Sequence, residues 1–114
     1  MDTGFRLEVR TEGAAAIIAV SGELDLASSP ALQEQLERIS GPEIQLLVID
    51  LRELDFMDST GLSIIVGAHQ RLAEQGCGVS IVRGAAQVQR LLDLTGVAER
   101  MRVVDTPEEA LNGG

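Results

Sequence analysis

Lysine, tryptophan and tyrosine are absent from this sequence, and histidine and cysteine occur once each, as His69 and Cys77. Without lysine there is no Walker A phosphate loop, no Schiff-base enzyme and no receiver-type phosphoaspartate site. A single cysteine excludes an intramolecular disulfide, and one His with one Cys excludes zinc sites built from those residues. Positive charge is scarce as well. Nine arginines face eighteen acids, for a formal net charge of -9. Such a surface repels phosphate backbones, so nucleic acid is not an expected partner. The longest apolar run, Ala14 to Val20, is far shorter than the ~20 residues of a membrane helix. The N-terminal stretch carries charges throughout and lacks a signal-peptide pattern. The expectation is a cytoplasmic protein with no membrane partner.

What is present suits one globular domain. Apolar residues make up 45% of 114, and a folded chain of this size buries roughly 65% of its unfolded surface. The domain is expected over residues 1–112, with Gly113-Gly114 as a flexible tail. Phe5, Leu7 and Val9 alternate with Arg6, Glu8 and Arg10, which predicts a strand with one wet face. A second strand follows the Glu12-Gly13 turn, at about Ala15 to Val20, and completes a hairpin. Ser29 reads as an N-cap with Pro30 at the first helical position. Leu32, Leu36 and Ile39 then keep helical spacing until Gly41-Pro42.

Gln45 to Leu51 is an almost unbroken apolar run, the pattern of a strand covered on both faces. From Ser59 the period becomes helical, with Leu62, Ile65, Val66, His69 and Leu72 on one side and Gly76 and Gly78 at the end. Val79 to Val82 predicts another buried strand, and Ala85 to Leu94 a helix with Val88, Leu91 and Leu92 inward and Gly96 beyond it. Met101 to Val104 is a last short strand. Thr106 and Glu109 have capping-box spacing at the start of a final helix. The order is ββαβαβαβα: an α/β fold with a small mixed sheet, an N-terminal hairpin followed by parallel strands, and about four helices.

The segment with chemistry is Leu54 to Leu62, read as a loop between the most buried strand and an amphipathic helix. Loops at the carboxyl ends of parallel strands are where open α/β sheets place functional groups. Ser59 fits an N-cap, with Asp58 before it and Thr60 and Gly61 in the first turn. Two readings of Ser59 stand here: a cap alone, worth about 1 kcal/mol, or a phosphorylation site. A phosphate would carry about -1.5 to -2 charge against free N–H groups and the positive end of a helix. A third reading, a hydrolase nucleophile, fails. Met57-Asp58-Ser59-Thr60-Gly61 lacks the first Gly of a nucleophile elbow, and His69 lies about 15 Å along the same helix at 1.5 Å per residue.

Phe56-Met57-Asp58-Ser59-Thr60-Gly61-Leu62 resembles the motif of anti-sigma factor antagonists, the bacterial STAS-domain proteins. Gly22-Glu23-Leu24-Asp25 resembles an element between the second strand and first helix of that family, and Leu91-Leu92-Asp93-Leu94-Thr95-Gly96 its third-helix stretch. Length, order of elements and the three motifs agree, so the resemblance covers essentially the whole chain. The resemblance implies a STAS-like single domain in which Ser59 is phosphorylated by an anti-sigma factor serine kinase. The unphosphorylated antagonist binds that kinase and frees the sigma factor, and a PP2C-type phosphatase restores the unphosphorylated form. It further implies no catalytic residue and no cofactor in this chain. No metal is expected, and the chain is expected to be a monomer or weak dimer. Asp25, Asp58, Thr60 and Gly61 would support the phosphosite, with Asp25 and Asp58 flanking Ser59. Glu23, Asp25, Phe56, Met57, Ser59 and Leu62 would form the partner surface.

Each of these residues also has a plainer structural role. Asp25 fits a turn or cap, and Asp58 a favourable acid at a helix start. Apolar residues between strand and helix pack inward, which is the expectation for Phe56 and Met57. His69 reads as a packed residue and Cys77 as an incidental thiol. The alternative function is a STAS scaffold subunit, in a stress-signalling or lipid-transport ABC complex, that binds whether or not Ser59 is modified. Direct binding of a nucleotide or small anion at the helix start is a third possibility, without a Gly-rich fingerprint to support it.

Overall fold

In the computed structural model, which describes residues 4–39 and 42–112, the chain folds around one mixed sheet. Gly41 and the Gly113-Gly114 tail lie outside the described residues. Strand β1 (Arg6–Glu12) and strand β2 (Ala15–Leu24) form the expected antiparallel hairpin. Gly13 takes φ +59 at the turn, where a two-residue hairpin loop favours Gly. The sheet order is β1-β2-β3-β5-β6, with β3 (Leu46–Asp50), β5 (Gly78–Val82) and β6 (Arg102–Val104) all parallel to one another and to β2.

Alternation along the parallel strands sorts the core into two layers. Leu47, Ile49 and Leu51 face helices α1 (Ser29–Arg38), α2 (Ser59–Glu74), α3 (Ala86–Leu94) and α4 (Val97–Arg100) across the larger cluster. Val48, with Ile17, Val82 and Val104, faces the other way, under Ala110 of helix α5 (Pro107–Asn112). The apolar run read from Gln45 to Leu51 is therefore covered on both sides, as its composition required. In α5 the Glu109 N–H donates to Thr106 Oγ1 at 3.1 Å, one half of the expected capping box.

Several elements depart from the sequence expectation. The observed order is ββαββαβααβα, with an extra strand β4 (Leu54–Met57) and the one-turn α4. β4 lies inside the stretch read as a loop. Its four residues carry too little pattern to read as a strand, and they become one by parallel pairing with the end of β2, Gly22↔Leu54 and Leu24↔Met57. The same pairing extends β2 past Val20 to Leu24. Val9, expected on the dry face, is 39% exposed because β1 is an edge strand. The N-cap of α1 is Ser28 and not Ser29, which is buried in the first turn with its hydroxyl unpartnered. In α2 the buried stripe is Leu62, Ile65, Ala68 and Leu72, while Val66 and His69 sit half-buried on its flank. In α3 Val88 and Leu92 are buried and Leu91 is half-buried against the same core.

Two glycines report how tightly these layers meet. A Cβ on Gly84, just after β5, would run into the Leu51 carbonyl, whereas one on Gly67, on the exposed side of α2, would meet nothing. Gly84→Ala is expected to cost about 2–3 kcal/mol by overpacking. Gly67→Ala should stabilise the fold by about 0.5–1 kcal/mol through helix propensity. Urea unfolding followed by circular dichroism separates the two, since the chain offers no Trp or Tyr fluorescence.

Candidate functional site

The site is built where the end of β2 meets the start of α2. Leu24 is fully buried at the last position of β2, and its carbonyl accepts the Asp58 N–H at 3.1 Å. Its side chain lies against Gly61, where a Cβ would fall 2.6 Å from Leu24 Cγ. Gly61 is therefore needed for close approach, and the helix start cannot move without Leu24. β4 is tied from the other side, where the Gln87 side-chain amide of α3 donates to the Asp55 carbonyl.

Asp58 is the N-cap of α2: its Oδ1 accepts the Gly61 N–H at 3.0 Å, and its carbonyl accepts the Leu62 N–H. This corrects the expectation that Ser59 caps. Asp58 keeps the extended backbone with which the chain leaves β4, and Ser59 and Thr60 become the first two helical residues. Ser59 is exposed and Thr60 half-buried. The Ser59 hydroxyl has no capping duty. Its carbonyl accepts the Ser63 hydroxyl at 2.9 Å, and the helical ladder provides no acceptor for the N–H groups of Ser59 and Thr60.

Asp25 opens the loop between β2 and α1. Its Oδ1 accepts from the N–H groups of Ala27 and Ser28, at 3.0 and 3.1 Å, and from the Ser28 hydroxyl at 3.1 Å. The Ser28 hydroxyl also reaches the Glu23 carbonyl at 2.8 Å. Asp25 thus orders its own turn, and no hydrogen bond joins its carboxylate to Ser59. The loop nevertheless adjoins the helix start, because Leu24 touches both Asp58 and Gly61.

The apolar residues of the segment divide. Met57 and Leu62, at 6% and 7% exposure, pack into the core beneath the site. Phe56 is 43% exposed, against the inward expectation, because Met57 takes the buried place beside Leu24 while Phe56 pairs with exposed Glu23. Leu26, at 73% exposure, is an apolar residue that sequence reasoning passed over. The signal available for it was its place between Asp25 and Ala27-Ser28-Ser29, a stretch without strand or helix period. Glu23, Asp25, Asp55 and Asp58 lie on the two segments and no arginine does. The surface is acidic, with exposed Phe56 and Leu26 and the exposed Ser59 hydroxyl.

Elsewhere, His69 lines a small cavity with Val66, Val97 and Met101 and is a packing residue. Cys77 is buried, and burial pushes its thiol above the usual range, which keeps it protonated and inert at neutral pH. A groove of about 480 Å³ between α1 and α2 is lined by Leu36, Ser63, Ile64 and Gly67 but not by Ser59. Among the described residues no cluster of three or more His, Cys, Asp or Glu could hold a metal ion, and no helix is long and apolar enough to cross a membrane.

With this geometry in place, the relatives are informative. The family model of the STAS domain matches residues 6–110. The anti-sigma F factor antagonist of Paenibacillus polymyxa is 31% identical over 108 residues, covering 94% of this chain and 92% of the relative. The anti-sigma-B factor antagonist of Listeria monocytogenes is 33% identical over 96 residues, covering 84% and 83%. The crystal structure of an anti-sigma factor antagonist from Mycobacterium paratuberculosis superposes with a TM-score of 0.83 at 28% identity, covering 96% of this chain and 92% of that one. The chain belongs to the STAS-domain family and groups there with the anti-sigma factor antagonists.

Asp58→Ala should remove the cap and cost about 1 kcal/mol, whereas Asp58→Asn, which keeps the acceptor oxygen, should cost only a few tenths. Chemical unfolding of the two variants checks the assignment, and equal losses would overturn it.

Proposed function

We propose that this chain is a binding protein controlled at Ser59: an anti-sigma factor antagonist that engages an anti-sigma factor serine kinase when Ser59 is unmodified and releases it when Ser59 is phosphorylated. The observation that carries the reading is the exposed Ser59 hydroxyl, relieved of capping by Asp58, at a helix start locked to Leu24. A phosphate added there disturbs no hydrogen bond of the hydroxyl that the fold needs. It adds about -1.5 to -2 charge to a surface that is already acidic, next to the positive end of α2. The change is local, large and reversible, which suits a docking switch.

In this reading Phe56 and Leu26 supply the apolar contacts of the partner face, with Glu23 beside them. Met57, Leu62 and Gly61 act from below by fixing the backbone, and Asp25 and Asp58 order the two loops that present the hydroxyl. Ser59 is favoured over Thr60 because it is the more exposed of the two. The nucleotide belongs to the kinase, so the chain takes part as substrate and ligand, not as enzyme. A PP2C-type phosphatase reverses the modification.

The test is an affinity capture from host lysate with wild-type, Ser59→Ala and Ser59→Asp baits, followed by titration of the recovered kinase. Wild type and Ser59→Ala should bind alike, and phosphorylated protein should bind on the order of tenfold to a hundredfold more weakly, through the cost of desolvating a phosphate beside the apolar contacts. Ser59→Asp, with about half the charge of a phosphate, should fall between. If the same large assembly is captured by all three baits, the chain is a scaffold subunit and the switch at Ser59 is wrong.

A further inference from the structure

The outer edge of β1 carries a pattern that the partner surface does not use. β1 pairs only with β2 and ends the sheet, and among the described residues no other strand lies along it. Alternate residues of such an edge turn their N–H and C=O groups outward, a ready template for another strand. Natural edges are protected by short length, charged side chains, proline, bulges or inward-pointing charge. β1 has seven residues in regular register with β2, contains no proline, and exposes Val9 at its centre. Its protection is its four charged side chains, which turn away any strand whose charges do not match them.

Its charges run Arg6, Glu8, Arg10, Glu12, all exposed and all on one face of the strand, with Leu7, Val9 and Thr11 on the other. Among the described residues none of these four has an ion-pair partner. Read against its own reverse about Val9, the strand is self-complementary. Arg6 falls opposite Glu12 and Glu8 opposite Arg10, each pair occurring twice, while Val9 meets Val9 and Leu7 meets Thr11. Opposite charges directly across a strand pair are favourable and like charges are not.

The neighbouring symmetric registers lack this property. Centred on Glu8, the pairing sets Arg6 against Arg10 and Glu8 against itself. Centred on Arg10, it sets Glu8 against Glu12 and Arg10 against itself. Parallel pairing in register opposes every charge to its like. Registers two residues away, centred on Leu7 or Thr11, oppose Arg to Glu again but keep only one such pair, made twice, over a shorter overlap. The Val9 register aligns the most opposite charges, and it is a closed two-fold arrangement that leaves no repeating edge.

We infer that β1 is a self-association surface, on which a second copy of this chain pairs antiparallel about Val9 to join two sheets into one. The interface is small. A seven-residue edge with its flanking side chains falls below the ~800 Å² per partner of a standard interface, so the dimer is weak and concentration-dependent. It does not depend on the state of Ser59, and it stands or falls separately from the proposed function.

Sedimentation equilibrium of the full chain tests it. Wild type should shift from monomer to dimer as concentration rises toward the millimolar range, and the dimer should weaken at high salt as the pairs are screened. Arg10→Glu, which sets two acids opposite each other twice, should raise the dissociation constant on the order of tenfold or more. The double variant Glu8→Arg with Arg10→Glu restores opposite charges and should return it to near the wild-type value, which a merely misfolded variant would not do. As a check on register, Val9→Cys should form an interchain disulfide under mild oxidation, since residue 9 meets itself. Thr11→Cys should not, since residue 11 faces Leu7. A strictly monomeric wild type, a charge swap that fails to restore association, or equal crosslinking at positions 9 and 11 would each overturn the inference.

Discussion

The contact between Leu24 and the first turn of α2 holds the functional end of this molecule together. Leu24 is the last residue of β2, and Asp58, more than thirty residues further along the chain, lies between β4 and α2. The carbonyl of one accepts the N–H of the other, and the Leu24 side chain fills the space that Gly61 leaves empty. Backbone bond and side-chain packing therefore act at the same point. A residue larger than Gly at position 61 would push α2 off β2, and with it would go the cap, the exposure of Ser59 and the juxtaposition of the two loops.

From this joint follows a division of labour by depth. Leu24, Met57 and Leu62 form the dry underside, which makes the site rigid without adding anything a partner can touch. Above them the polar groups are satisfied locally, Asp58 by Gly61 and Asp25 by its own turn. Carboxylates occupied in this way fix loops more than they bind ligands. What remains outward is a hydroxyl, Phe56 and Leu26 among acids. A group held on so firm a base changes its own chemistry without changing the fold, which is the property a modification switch requires.

The opposite face of the sheet shows the same economy. Asp50 is buried between the strands and the region beyond them, and Arg52 closes over it with two guanidinium nitrogens, at 2.8 to 3.2 Å from its carboxylate oxygens. Its charge is matched by a partner two residues away, and that hydrogen-bonded carboxylate pushes the Arg52 guanidinium further up. Local pairing of buried charge keeps this face quiet. The acidic excess of the chain is thereby left to its exposed surfaces, including the one around Ser59.

The hairpin, the doubly covered strand β3, helices α1, α2, α3 and α5 and the phosphosite candidate itself were all legible from residue order. Burial in a strand repeats every two residues and in a helix every 3.6, and both periods are written locally. The motif Asp58-Ser59-Thr60-Gly61 likewise sits in consecutive positions, so its place at a helix start could be read directly. Other features depended on residues far away. Leu54–Met57 is a strand only because the end of β2 offers it an edge. Asp58 and not Ser59 caps α2 because the chain enters the helix from a strand docked on Leu24. Phe56 points out, Met57 in, and Leu26 stands exposed because pairing and packing between distant segments decide which side of a short element has anything to bury against. Period is a property of neighbours in sequence, whereas exposure is a property of neighbours in space.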